Sequence, residues 1–393
     1  MSSNKFPAPK TSWLNNSRNR ALLFQIVLIC SVVGFFIFIG NNTLHNLEQR
    51  GIMTGFSFLK QKAGFGIAQH LIPYTESSTY GRTFVVGLLN TILVSVLGIF
   101  FATILGFIVG VARLSSNWLI SKIAATYIEI FRNLPLLLQI FFWYFAVLRT
   151  LPSPRQSLHL GSSFFLNIRG IFIPRPIFEQ GFEYVAATLL FVLIATIFLK
   201  RWAKKQQDET GRQFPVLLTS LAMFATLPTL VYFLTGAPLK WEMPVLKGFN
   251  YHGGITIIPE LAALLVALTV YTASLIAEIV RSGILSVSHG QTEAASALGL
   301  RPGKTLRLVI IPQAMRVIIP QMTSQYLNLV KNSSLATAIG YPDLVSVFAG
   351  TTLNQAGQAI EIIAMTMAVY LIISLLISFF MNWYNARSML KER

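Results

Sequence analysis

Cysteine occurs once, at Cys30, so no intrachain disulfide is possible. Only five histidines are present, and no Cys/His cluster has metal-ligand spacing, so no metal centre is expected. Charge is scarce as well: Asp, Glu, Lys and Arg make up 11% of the 393 residues, against about 25% in a soluble domain. With 54% hydrophobic residues, too little charge remains to coat a water-facing surface. A soluble globular enzyme and a disordered chain are both excluded. A phosphate loop is missing. In Gly299-Leu300-Arg301-Pro302-Gly303-Lys304-Thr305 the second glycine comes too early, and Leu298 stands where the first glycine should be. There is no Ser/His/Asp or Cys/His arrangement in a recognisable context. ATP hydrolysis and covalent chemistry are therefore not expected of this chain, and neither is a cofactor.

What is present is a series of long apolar runs, at about 21–40, 84–112, 123–148, 184–199, 214–235, 259–280, 317–340 and 359–383. Runs near 20 residues match the thickness of a bilayer. We expect an all-α, polytopic membrane protein with about eight spans. The first run lacks a small-residue cleavage site at Ile39-Gly40-Asn41-Asn42 and is read as a retained span. Trp143, Trp202, Trp241 and Trp383 near span ends suit aromatic belts, and Gly106 with Gly110 suits close packing of the second span.

The 31 Lys and Arg against 14 Asp and Glu give a formal net charge of +17. In a soluble protein this would suggest nucleic acid. Here the positive-inside rule accounts for it. With the N-terminus inside and the spans alternating, Lys5, Lys10, Arg18 and Arg20 fall inside, as do Arg113, Lys122 and the Lys200–Arg212 cluster. So do Arg281, Arg301, Lys304, Arg307 and Arg316, and then Arg387, Lys391 and Arg393. Both termini are then cytoplasmic, and no nucleic-acid partner is needed. The outer loops, about 41–82, 149–183, 236–258 and 341–358, are rich in Gly, Pro and Phe.

One inner segment is longer than a connection requires. Residues 288–305 carry strong helix formers followed by Gly299, a helix stop, and Pro302, suited to the first turn of another helix. Arg301, Lys304 and Arg307 would face lipid headgroups or solvent. Two readings stand: an interfacial connector, or a small-residue peg with one carboxylate that docks into a cytosolic partner.

The spacing of this segment resembles the signature of permease subunits of bacterial ABC importers. Glu293-Ala294-Ala295 is followed at the family's intervals by Gly299 and then by Val309, Ile311 and Pro312. Permeases for polar amino acids are similar over more of the chain, at residues 127–139, 271–283 and 329–335. The resemblance covers about 83–148 and 259–385, the family's five-span core. The additional first span and an inserted helical pair within 149–258 are similar to the longer permeases of general L-amino-acid importers of the Aap/Bzt type. It implies a type I ABC importer permease in the bacterial inner membrane, organised as 1–82, 83–148, the insert 149–258, and 259–393 with a docking loop at 284–312. It also implies three protein partners: a cytosolic ATP-binding cassette subunit, a second related permease and a periplasmic amino-acid-binding protein. Glu293, Ala294, Ala295, Leu298 and Gly299 would meet the ATPase.

Ionisable groups inside a bilayer are costly and usually functional. Glu129 and Arg132 share a helix face, with Asn133 beside them, and Lys331, Asn332, Ser333 and Ser334 form a second polar patch. The two patches could hold the ammonium and carboxylate of an amino acid along a substrate pathway. In the alternative reading, Glu129 and Arg132 clasp each other and Lys331 snorkels. Glu278 and Arg281 read as a salt bridge at the inner end of the sixth span. Two rivals from other classes remain. One is an ion-coupled secondary transporter or channel that works without an ATPase. The other is a membrane enzyme, which would need a convergent His/Asp/Glu site, whereas His159, His252 and His289 fall in separate loops.

Overall fold

The structure, a computed structural model, describes residues 17–49 and 54–388. Lys5, Lys10, Lys391 and Arg393, which enter the orientation argument, lie outside the described residues. Helix α1 (Ser17–Gln49) is followed by α2 (Tyr80–Arg113), α3 (Trp118–Asn133) and the short α4 (Leu136–Phe141), which runs on into a π-helical turn. Next come strands β1 (Leu158–Leu160), β2 (Phe164–Asn167), β3 (Gly170–Ile173) and β4 (Arg175–Phe178). Helices α5 (Phe182–Thr210) and α6 (Val216–Leu234) form a hairpin. Strands β5 (Leu239–Glu242), β6 (Val245–Lys247), β7 (Asn250–His252) and β8 (Ile255–Ile257) then lead into α7 (Pro259–Leu285). The chain closes with α8 (His289–Ala297), α9 (Pro302–Thr305), α10 (Ile311–Asn332), α11 (Leu353–Ala356) and α12 (Ala359–Ser388).

Eight spans were expected. Among the described residues, six helices are long and apolar enough to cross a bilayer: α1, α2, α5, α6, α7 and α12. A seventh crossing is available if α3 and the segment from α4 to Thr150 are counted together, although they meet at 105°. The bend has a local cause. Pro135 holds the preceding residue out of the helical region, and Leu134 is extended at φ −89°, ψ 132°. Gln139 Nε2 then donates to the carbonyls of Phe131 and Leu134, each at 3.0 Å. The expected span at 317–340 corresponds to α10, 22 residues long. It is too polar to count, because it carries Gln313, Arg316, Gln321, Gln325, Asn328 and Lys331.

The insert does contain the expected helical pair, and α5 packs along α6. The fold is mostly helical as expected, and the loops on either side of the hairpin add short strands to it. β1, β2, β3 and β8 form an antiparallel four-stranded sheet in that order, while β4 pairs with β5 and β6 with β7. Strands of three or four residues carry too little periodicity to be seen in sequence.

Packing divides the chain into two units. In the first, residues up to 90 with 342–376, Phe58, Ala63, Tyr80, Leu344, Phe348 and Ile362 form the core. Asn90, fully buried, donates from Nδ2 to the carbonyls of Gln69 at 2.9 Å and Pro342 at 2.8 Å. In the second, residues 91–341 with 377–393, α7 is central. Of its most apolar stretch 61% is buried, against 11% in α5 and α6. Leu264 and Leu268 pack with Ile140 and Tyr341, and Ile276 and Val280 with Ile318 and Ile319. Up to Phe198 in α5 and along α6, many of the exposed residues are large and apolar, as lipid contact requires, whereas the end of α5 exposes charged residues.

Candidate functional site

Helix α7 delivers the chain to the segment singled out by its spacing. Helix α8 occupies His289–Ala297, and its last turn closes as a Schellman motif. Gly299 lies at φ +74°, its N–H donates to Ser296 O at 2.9 Å, and Leu300 N–H donates to Ala295 O at 3.1 Å. The chain then turns at Arg301, and α9 begins on Pro302, whose missing N–H is harmless in a first turn. Arg301, Lys304 and Arg307 are exposed. Gln313 Nε2 donates to Gln291 Oε1 at 3.2 Å, linking α10 to α8.

The faces of α8 differ in chemistry. Glu293, Ala294, Ala297 and Leu298 are exposed, Leu298 at 81%. Ala295 is only 3% exposed and faces its own chain. As a small residue it lets α8 lie close to the π-helical turn at 306–310. The Glu293 carboxylate lies 3.0 Å from His289 Nδ1, one turn earlier. A groove of about 570 Å³ runs between α8, α9 and the end of α7, lined by Val287, His289, Thr292, Ser296, Pro302 and Leu306. The arrangement is a protruding helix with one carboxylate, a small-residue face and an apolar tip. It suits insertion into a protein cleft better than catalysis.

The intramembrane charges are placed differently from the expected clasp. Glu129, Arg132 and Asn133 are exposed on the last turns of α3, which Tyr127 ties to α7 by donating to Val270 O at 2.7 Å. Glu129 and Arg132 form no ion pair. Instead Asn133 Nδ2 bonds the Glu129 carbonyl at 2.7 Å and its carboxylate at 3.3 Å. The Glu278 carboxylate is gripped by Arg281, with Nε 3.0 Å from Oε2 and Nη2 2.5 Å from Oε1. The salt bridge expected at the end of the sixth span is present.

Of the second patch, Lys331 is exposed and Asn332 half-buried, while Ser333 is buried. Both serine hydroxyls bond back to carbonyls, Ser333 to Val330 at 2.8 Å and Ser334 to Lys331 at 2.7 Å. They cap the end of α10 rather than point at a ligand. No hydrogen bond or ion pair joins this patch to Glu129, Arg132 or Asn133.

Residues 98–389 match the family described as binding-protein-dependent transport system inner membrane component. Among curated proteins, YhdX of Escherichia coli (strain K12) is 56% identical over 378 residues, 96% of each chain. The general L-amino acid transport system permease protein AapQ of Rhizobium johnstonii is 50% identical over 98% of each chain. The glutamate/glutamine/aspartate/asparagine transport system permease protein BztB of Rhodobacter capsulatus is 42% identical over 96% of each chain.

Proposed function

The chain belongs to the family of binding-protein-dependent transport system inner membrane components, and on that footing we propose that it carries L-amino acids into the cytoplasm as the permease subunit of an ATP-driven importer. It is a multi-pass inner-membrane permease and not itself an enzyme. The ATPase is a separate cytosolic chain, a second related permease completes the membrane pore, and a periplasmic binding protein delivers substrate. The general L-amino acid and glutamate/glutamine/aspartate/asparagine systems to which AapQ and BztB belong support this substrate class. The basic Lys200–Arg212 tip of the α5–α6 hairpin and the α8–α9 segment lie inside, so both termini are cytoplasmic.

One observation carries the coupling role: an exposed carboxylate-bearing helix, α8, is joined by Val287 and its neighbours to α7, the most deeply buried helix of its unit. A partner that moves α8 moves α7, and with it α10, as rigid elements. Alternating access follows from that movement. Glu293 accepts charge-assisted hydrogen bonds from the ATPase, and Ala294 and Leu298 enter its cleft. In the assembled complex, Glu293→Lys and Gly299→Glu should each leave the permease inserted while abolishing transport-coupled ATP hydrolysis. Survival of coupled hydrolysis in both variants would rule out this role for α8.

A further inference from the structure

The two loops that flank the α5–α6 hairpin are folded together, which mere connections between spans do not require. β3 pairs with β8 through Ile171↔Ile257 and Phe172↔Thr256, and β4 pairs with β5 through Arg175↔Glu242. Strands from before and after the hairpin thus share one platform. Phe172 is fully buried beneath it, and the Tyr251 ring stacks on Phe165 at 4.4 Å and meets Phe172 at 5.1 Å. The platform is continuous with α7, because only Ile258 separates the end of β8 from Pro259. Helix α7 has 27 residues and is roughly 40 Å long at 1.5 Å per residue. The platform and α8 therefore sit at opposite ends of one helix, on opposite membrane faces.

The outer surface of the platform is apolar and basic. Leu160 is 78% and Phe249 74% exposed, and the Arg155 guanidinium lies over the Phe249 ring, 5.0 Å from its centroid. Arg149, Arg155, Arg169, Arg175, Lys240 and Lys247 are all exposed. Against them stand Glu179, Glu183, Glu242 and, at the start of α7, Glu260, so cations still exceed carboxylates; among the described residues, of the six cations only Lys240 forms an ion pair, with Glu179 at 2.6 Å. Exposed aromatic and arginine side chains are the usual anchors of protein interfaces. An excess of one charge selects a partner of the opposite charge and steers it on. Lipid headgroups also accept Trp and Arg. They do not account for a paired sheet built from two separate loops and joined rigidly to α7.

We propose that this platform is the landing surface for an acidic face of the substrate-binding protein, and that it passes that contact along α7 to α8. The inference rests on the permease reading above and adds to it the place where the binding protein is received. The test uses the whole complex in lipid nanodiscs. ATP hydrolysis is titrated with the purified binding protein, saturated with mixed L-amino acids. Arg155→Glu combined with Lys247→Glu should raise the half-saturating concentration about tenfold, while basal hydrolysis and the ATPase content of the complex stay unchanged. The pair Arg155→Lys and Lys247→Arg should behave as wild type. A photo-cross-linking residue in place of Leu160 should capture the binding protein. An unchanged titration curve, or capture of only lipid or the second permease, would overturn the proposal. If no ATPase subunit accompanies the wild-type chain, the permease reading itself fails, and that result is read before any variant is made.

Discussion

A Cβ added to Gly106 of α2 would fall 2.6 Å from the Cβ of Ile276 in α7, and one added to Gly110 would fall 2.8 Å from the Cβ of Val280. The two glycines stand one turn apart and form a smooth stripe against which α7 lies. Because α7 links the outer platform to α8, the closeness of this contact determines how stiffly that link is held.

Gly106→Ala and Gly110→Ala should each destabilise the protein by about 1–3 kcal/mol, the usual penalty for overpacking a filled contact. Leucine at either position should abolish accumulation in the membrane. The control is Gly40→Ala in α1, where nothing lies within 4 Å of the added atom, and abundance should be unchanged. Fluorescence-detected size exclusion of tagged variants reads all of these outcomes.

Asn90→Ala should lower the melting temperature in detergent. It removes the donor to the carbonyls of Gln69 and Pro342 inside a buried site, at about 1–3 kcal/mol. Asn90→Asp should be worse than Asn90→Ala, because a carboxylate would face the same two acceptors. Equal stability of the two variants would show that these hydrogen bonds do not hold the loops to α2.

Gly299→Ala should weaken attachment of the ATPase without changing the abundance of the permease. A left-handed conformation costs a side-chain-bearing residue about 1–2 kcal/mol, and the strain falls on the turn that ends α8. Gly299→Asn should be milder, since asparagine tolerates that region. Co-purification of the ATPase, measured as the ratio of the two chains, separates the variants.

The docking segment was legible in sequence because it is local: helix formers, a glycine stop and a proline start follow one another within 18 residues, and the structure has α8, Gly299 and Pro302 in those roles. The long spans were legible for the same reason. The bend at Leu134–Pro135 carried a visible signal in Pro135, but a run of apolar residues on both sides outweighed it. The burial of Ala295 and the pairing of β3 with β8 were not legible, since each depends on residues far apart in the chain. Charged neighbours misled in the same way. Spacing alone put Glu129 against Arg132, whereas the fold supplies Asn133 as the hydrogen-bond partner of Glu129 and leaves Arg132 exposed.

That rearrangement separates two roles for the arginines. Glu278 is held by Arg281 while Arg132 stands apart from the pair, so Glu278→Gln leaves the Arg281 guanidinium without its counter-charge. Its abundance should fall several-fold, and the double variant Glu278→Gln, Arg281→Gln should recover part of it, because one uncompensated charge goes with its partner. Arg132 is exposed at the end of α3 and its side chain makes no hydrogen bond among the described residues. Arg132→Gln should therefore leave abundance intact and raise the substrate concentration needed for half-maximal uptake, most for anionic amino acids, whose second carboxylate would meet the guanidinium. If Arg132→Gln instead reduces abundance as Glu278→Gln does, the arginine serves the α3–α7 contact and the substrate pathway lies elsewhere.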